Sequence, residues 1–213
     1  MRATALFFCL ILFTAPALAQ MPEGSAGEIA LPVLTGQQKN TLLTIARESV
    51  TAVLEGREAR EATVEPRLTE PQPMVVSLYV DGELRGRAWR LRNYEPIYLE
   101  ARDLTFQAMA EPMVSDQPLT VSELSRVVIS VGVLSNYTRA EDDRDVPPRS
   151  AVIIYSGFKE WMAMPGDVVS GKAADLLSYA CEQAGLRPNI WLLPQTTIFS
   201  AQVEEMREGP GAL

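Results

Sequence analysis

The chain has 213 residues, no histidine, two cysteines and a formal net charge of −8 at pH 7. Without histidine, Ser-His-Asp and Cys-His catalysis, zinc-protease helices and histidine-rich metal sites are excluded. An acidic surface repels phosphate backbones, which argues against nucleic acid as a general partner.

The first residues read as an export signal. Arg2 precedes an unbroken apolar run from Leu6 to Phe13, Pro16 breaks it, and Ala17-Leu18-Ala19 gives the small-x-small pattern that signal peptidase accepts. The run is too short for ~30 Å of hydrocarbon. Cleavage after Ala19 is therefore expected, with an extracytoplasmic (periplasmic or secreted) product that keeps no membrane segment. Cys9 leaves with the leader, so Cys181 remains alone and no intramolecular disulfide forms.

Residues 20–33 are small, polar and proline-bearing, a linker pattern. Thr35 and Gln38 then stand three apart as a capping box. Behind them Leu42, Leu43, Ala46, Val50, Val53 and Leu54 predict one helical face, ended by Gly56. Arg57 to Pro73 is charged and proline-punctuated, an exposed connection.

Met74–Val80 and Glu83–Trp89 alternate as strands about the two-residue turn Asp81-Gly82. Unbroken pairing would set Leu78 against Arg85 and Val76 against Arg87. Arg85, Arg87 and Trp89 would then share one face, with Leu84, Gly86 and Ala88 turned to a closely packed neighbour. Ile97, Ala101, Leu104 and Ala108 predict a helix between Pro96 and Pro112. A short helical turn over 119–124 precedes Val127–Leu134, apolar on both faces and so a buried central strand. Glu141 to Asp145 form an acidic loop that lacks the alternation and central glycine of a calcium loop, and no metal is expected there. A hairpin follows around Ser156-Gly157. Then comes a helix that buries Cys181 as a small hydrophobe and stops at Gly185. The last strand runs from Thr196 to Glu204. Trp161 and Trp191 read as core aromatics, and Asn136-Tyr137-Thr138 matches a glycosylation acceptor. Hairpins dominate this order, so the expected fold is α+β, a mainly antiparallel β-sheet flanked by helices, with the domain over 34–206 and a flexible tail over 207–213.

In order and spacing these segments resemble the AMMECR-one domain family. The stretches that carry the resemblance are T-I-A-R-E-S-V-T-A-V-L-E-G, V-D-G-E-L-R-G, L-T-V-S-E-L with V-V-I-S-V-G-V-L-S, A-V-I-I-Y-S-G with M-A-M-P, and L-L-S-Y-A-C-E-Q-A-G-L-R-P-N-I-W. The resemblance implies a larger and a smaller lobe around an antiparallel sheet. Bacterial and archaeal members are similar to components of a system with a Memo-like and a radical-SAM protein, which implies an accessory role in modification chemistry. The family's L-R-G-C-I-G signature reads here as Leu84-Arg85-Gly86-Arg87-Ala88-Trp89. Arg87 stands at the cysteine position and Trp89 at the final glycine. If the family works through that cysteine, this chain does not do the same, and export separates it from cytoplasmic radical chemistry.

Arg85, Gly86, Arg87 and Trp89 are thus the candidate ligand-binding residues. Two guanidiniums beside an indole suit a carboxylate, a phosphate or an aromatic ligand. The competing reading is a strand face whose arginines lie over apolar neighbours and pair with carboxylates of the protein itself. The favoured function is a non-catalytic, extracytoplasmic binding or accessory protein for an anionic small molecule or a partner protein, without a cofactor. The alternative is an enzyme using carboxylate, lysine or tyrosine chemistry in a cleft between the lobes, which requires desolvated carboxylates in mutual contact.

Overall fold

A computed structural model of the protein describes residues 34–92, 94–110 and 118–209. The leader and linker expected over 1–33, and Pro112 as a helix stop, lie outside the described residues. Helix α1 (Gly36–Glu55) starts at Thr35, whose side chain accepts from the Gln38 N–H while Gln38 reaches back to the Thr35 N–H. It ends at Gly56, where φ of 67° admits the left-handed turn. Its inner stripe is Gln38, Leu42, Ile45, Ala46, Ser49 and Val50. Val53 was expected inside but is 48% exposed, because the stripe turns past it.

Strands β1 (Met74–Val80) and β2 (Glu83–Arg90) meet through the Asp81-Gly82 turn, both residues at positive φ. Helix α2 (Ile97–Ala110) buries Ile97, Ala101, Leu104 and Ala108, the four positions its spacing predicts. Strand β3 (Val127–Ala140), strands β4 (Ser150–Ser156) and β5 (Lys159–Ala163), helix α3 (Ala173–Gln183) and strand β6 (Thr196–Arg207) complete the order. Strand β6 continues past Glu204, and Glu208 accepts from the Ile129 N–H and pairs with Arg47. Residues 207 and 208 thus belong to the domain and not to the expected tail.

The six strands form one sheet in the order β2-β1-β3-β6-β4-β5, and every pairing is antiparallel. The fold is α+β, as the sequence predicts. Met74, Val76, Leu78 and Val80 face α1 and α2 in the larger core. Val152, Ile154, Trp161 and Ile198 face α3 and its Cys181 in a smaller one. Each fully buried large aliphatic side chain contributes about 1.5–3 kcal/mol. A third cluster joins Val75 of β1 to Ile153 and Met162 of β4 and β5, far apart in strand order. The sheet therefore curls until its outer strands β2 and β5 approach. Trp89 and Trp161 stack edge to face across that approach, 5.7 Å between ring centroids.

Candidate functional site

The four sequence-predicted residues lie on β2, but not as one face. Tyr79 pairs with Leu84 and Leu78 with Gly86, so Arg85 is an unmatched extra residue. This bulge corrects the expected register: Arg87 stands opposite Ser77, not Val76, and Arg85 opposite nothing. Bulges re-aim side chains, and here the two arginines part company.

Arg85 donates to Glu123 at 2.8 Å, in the helical turn Val121–Arg126 that packs on α1. The Arg85 hydrogen bond, with two more from Thr120, holds the Glu123 carboxyl down at about 2 against an ordinary 4.5. A lowered carboxylate stabilises the fold above its ordinary value, and that stabilisation is lost as pH falls through the folded value. In an Arg85→Ala variant, the Glu123 titration followed by NMR should move up toward 4.5, and acid unfolding should lose part of its steepness between those two values.

Arg87 is 1% exposed. Its Nε donates to Ser77 Oγ at 2.8 Å, and Nη1 to the Met162 carbonyl at 3.3 Å and to Asp167 at 2.5 Å. Nη2 donates to the Tyr79 hydroxyl at 3.2 Å and to the other Asp167 oxygen at 2.9 Å. A guanidinium has five N–H donors, and all five are taken. Burial would pull its pKa down, but the fork-to-fork contact with Asp167 overcomes this and the net shift is upward. Asp167 also accepts from the Met164 N–H at 2.7 Å. The Arg87 side chain thus closes the seam between β2 and β5 and has no donor left for an external anion. Neighbouring Trp89 is half-buried and packs on both the α3 cluster and the sheet interior. Gly86 turns the other way, onto the last turn of α2, where an added Cβ would overlap the Ala108 carbonyl.

Sequence reasoning missed Arg207. Its guanidinium lies 4.3 Å from the centroid of the Tyr79 ring, whose hydroxyl meets Arg87. It is exposed, and among the described residues it makes no ion pair. The signal that hid it was the glycine-proline end of the chain, which reads as frayed. The Tyr79 ring, whose hydroxyl accepts from buried Arg87, thus carries a solvent-facing cation on its face.

Other sequence-marked groups stand apart from this edge. Cys181 is buried on the inner face of α3, and burial raises its pKa, which disfavours the thiolate. The acidic loop bonds to itself, with Asp142 pairing with Arg144 and Asp145 accepting from the Glu141 N–H. Glu100 of α2 is buried, and burial raises its pKa against the pull of Arg90, which lies at 3.0 Å. Its ion-pair partner is thus a cation, while the nearby charges of Asp103 and Glu95 push its pKa further up. Among the described residues no three His, Cys, Asp or Glu side chains gather as metal ligands, and no helix is long and apolar enough to cross a membrane.

An antiparallel sheet curled between a two-helix layer and a one-helix layer, with an L-R-G strand packed under α2, defines a class of α+β domain. The profile of the AMMECR1 family matches residues 43–206, and the chain belongs to that family. It is 28% identical over 193 residues to Protein MK0488 of Methanopyrus kandleri, covering 83% of this chain and 93% of that one. The crystal structure of Uncharacterized Protein PH0010 from Pyrococcus horikoshii shares the fold with a TM-score of 0.67 at 21% identity, over 84% of this chain and 95% of that one.

Proposed function

We propose that this AMMECR1-family protein is exported and acts without catalysis, as a binding or accessory protein that recognises an anionic small molecule or an acidic group on a partner protein. One observation carries the reading. Where the family motif has cysteine, this chain has Arg87, buried and with every donor engaged. A cysteine position of the motif has become a structural fastening. Among the candidate residues, Arg85, Gly86, Arg87 and Trp89 hold the edge in shape, while Arg207 on Tyr79 presents the charge that meets the anion. The enzymatic alternative would need touching carboxylates, and Glu100 faces Arg90 instead.

The leader is tested by fractionating cells that make the full chain and sequencing the exported product. It should begin at Gln20, outside the cytoplasm. A cytosolic protein that keeps Met1 would overturn the exported reading. Native mass spectrometry of the exported protein should find a bound anionic species that is lost from an Arg207→Glu variant. Retention of that species by the variant would remove Arg207 from the contact.

A further inference from the structure

Strand β2 meets α2 along one row of positions. After the bulge at Arg85, alternation puts Gly86, Ala88 and Arg90 on the same face. Gly86 lies on the Ala108 carbonyl, Ala88 joins the core beneath α2, and Arg90 ends the row on Glu100. Glu100 stands on the inner stripe of α2 with Ile97, Ala101 and Leu104, where helical spacing calls for an apolar residue.

The surroundings of this carboxyl are poor in partners. Its side chain is 1% exposed. Arg90 Nη1 lies 3.0 Å from Oε1 and donates to Oε2 at 3.3 Å, and Oε1 accepts no hydrogen bond. The Arg90 side chain is itself 37% exposed, so water shares that cation and weakens the pair. Asp103, three residues along α2, and Glu95, just ahead of it, repel a charge on Glu100. The other arginines near α2 have carboxylates of their own. Arg67 of the turn Pro66–Thr69 pairs with Glu70, and Arg102 lies beside Asp103. Toward α2, β1 presents Met74, Val76, Leu78 and Val80, and α1 presents Leu42, Ile45 and Ala46. Neither element offers this core a second cation. A buried charge with one half-solvated partner is costlier than the neutral acid in the same place.

We infer that Glu100 is a proton-operated latch on the contact between β2 and α2. Ionised, it keeps a charge in the core and holds Arg90. Protonated, it frees Arg90 to solvent and lets α2 bed more firmly on β2. Burial and the two neighbouring carboxylates raise the Glu100 pKa above its ordinary 4.5, against the pull of Arg90. The folded protein therefore binds this proton better than the unfolded chain does. The stabilisation is full below the ordinary value and is lost as pH rises through the folded one. This is the opposite sense to Glu123, whose lowered carboxyl stabilises the fold only above that range. The latch goes beyond the proposed function and depends neither on export nor on the Tyr79–Arg207 edge.

The test compares thermal melts of the parent chain and Glu100→Gln between about pH 5 and about pH 8. Glu100→Gln should melt above the parent at the alkaline end, and its advantage should shrink as the pH falls. Taking the difference cancels every group the two proteins share, including Glu160, whose carboxyl is also raised by burial. In the parent, the Glu100 carboxyl carbon followed by NMR should titrate above 4.5, and in Arg90→Ala it should titrate higher still. Amide exchange over residues 97–104 should slow as Glu100 takes its proton. The latch is overturned by a difference that does not change with pH, by a parent that outlasts Glu100→Gln at the alkaline end, or by exchange that quickens on protonation. Should Glu100→Gln fail to fold, the parent titration decides alone, and a Glu100 carboxyl that titrates at or below 4.5 refutes the inference.

Discussion

Replacing Arg87 with alanine is expected to cost about 3–5 kcal/mol of stability, which for a domain of this size is a fall of roughly 10 °C in melting temperature. The loss comes from what is left behind. Asp167, its side chain 4% exposed, would keep the Met164 N–H and lose its cation. Ser77 Oγ, the Tyr79 hydroxyl and the Met162 carbonyl would each lose a donor at the same time. Asp167→Ala should be comparably damaging, because it strands the guanidinium instead. The double variant Arg87→Leu with Asp167→Leu should lose far less than the two losses summed, since neither charge is then buried alone. Thermal and urea melts of the four proteins measure this directly. A melting temperature unchanged by Arg87→Ala would mean that the guanidinium does not sit in the seam.

Arg87→Cys carries the same argument into the family comparison. It restores the residue of the L-R-G-C-I-G pattern, but a thiol supplies none of the geometry that five N–H donors supply. Asp167 would be as isolated as in the alanine variant. The exchange at this position is thus tied to Asp167, eighty residues away, and not to a local swap of one reactive side chain for another. That linkage makes Arg87 part of the scaffold that joins β2 to the far end of the sheet.

The local parts of this fold are legible in the sequence because their causes are local. Thr35 and Gln38 lie three apart and cap each other. Asp81-Gly82 takes the positive φ values that its composition permits. Ile97, Ala101, Leu104 and Ala108 share a face by spacing alone. Legibility ends where partners are distant. Alternation put Arg85 and Arg87 side by side, but the bulge at Arg85 separates them, and a bulge leaves no mark in a period-two pattern. Nothing around Arg87 names Asp167 or the Met162 carbonyl, which the curl of the sheet brings to it. Ser150 illustrates the same limit. Its identity is ordinary, and only the packing of α3 against β4 shows that its hydroxyl is buried and unpaired.

Gly86→Ala is expected to be the second large loss, at or above the usual 1–3 kcal/mol for an overpacked site. The cause is space and not torsion, because Gly86 has no positive φ. The new Cβ would overlap the Ala108 carbonyl oxygen and come within 3.0 Å of its carbon. Those are backbone atoms of α2, and no rotamer change can move them aside. Either α2 lifts from β2 or β2 bows away from it. Lifting α2 loosens Ile97, Ala101 and Leu104, all fully buried. Bowing β2 pulls on Arg87, the next residue, and on its seam contacts. Gly86→Ala should therefore couple to Arg87→Ala, with the double variant less unstable than the two losses summed. Gly36→Ala is the matched control, since nothing lies within 4 Å of its added Cβ and it opens α1. That exchange should be neutral or stabilising by up to about 1 kcal/mol. If Gly86→Ala melted no lower than Gly36→Ala, the close contact of β2 with α2 would be wrong, and the packing reason for the Arg-Gly pair in this motif would go with it.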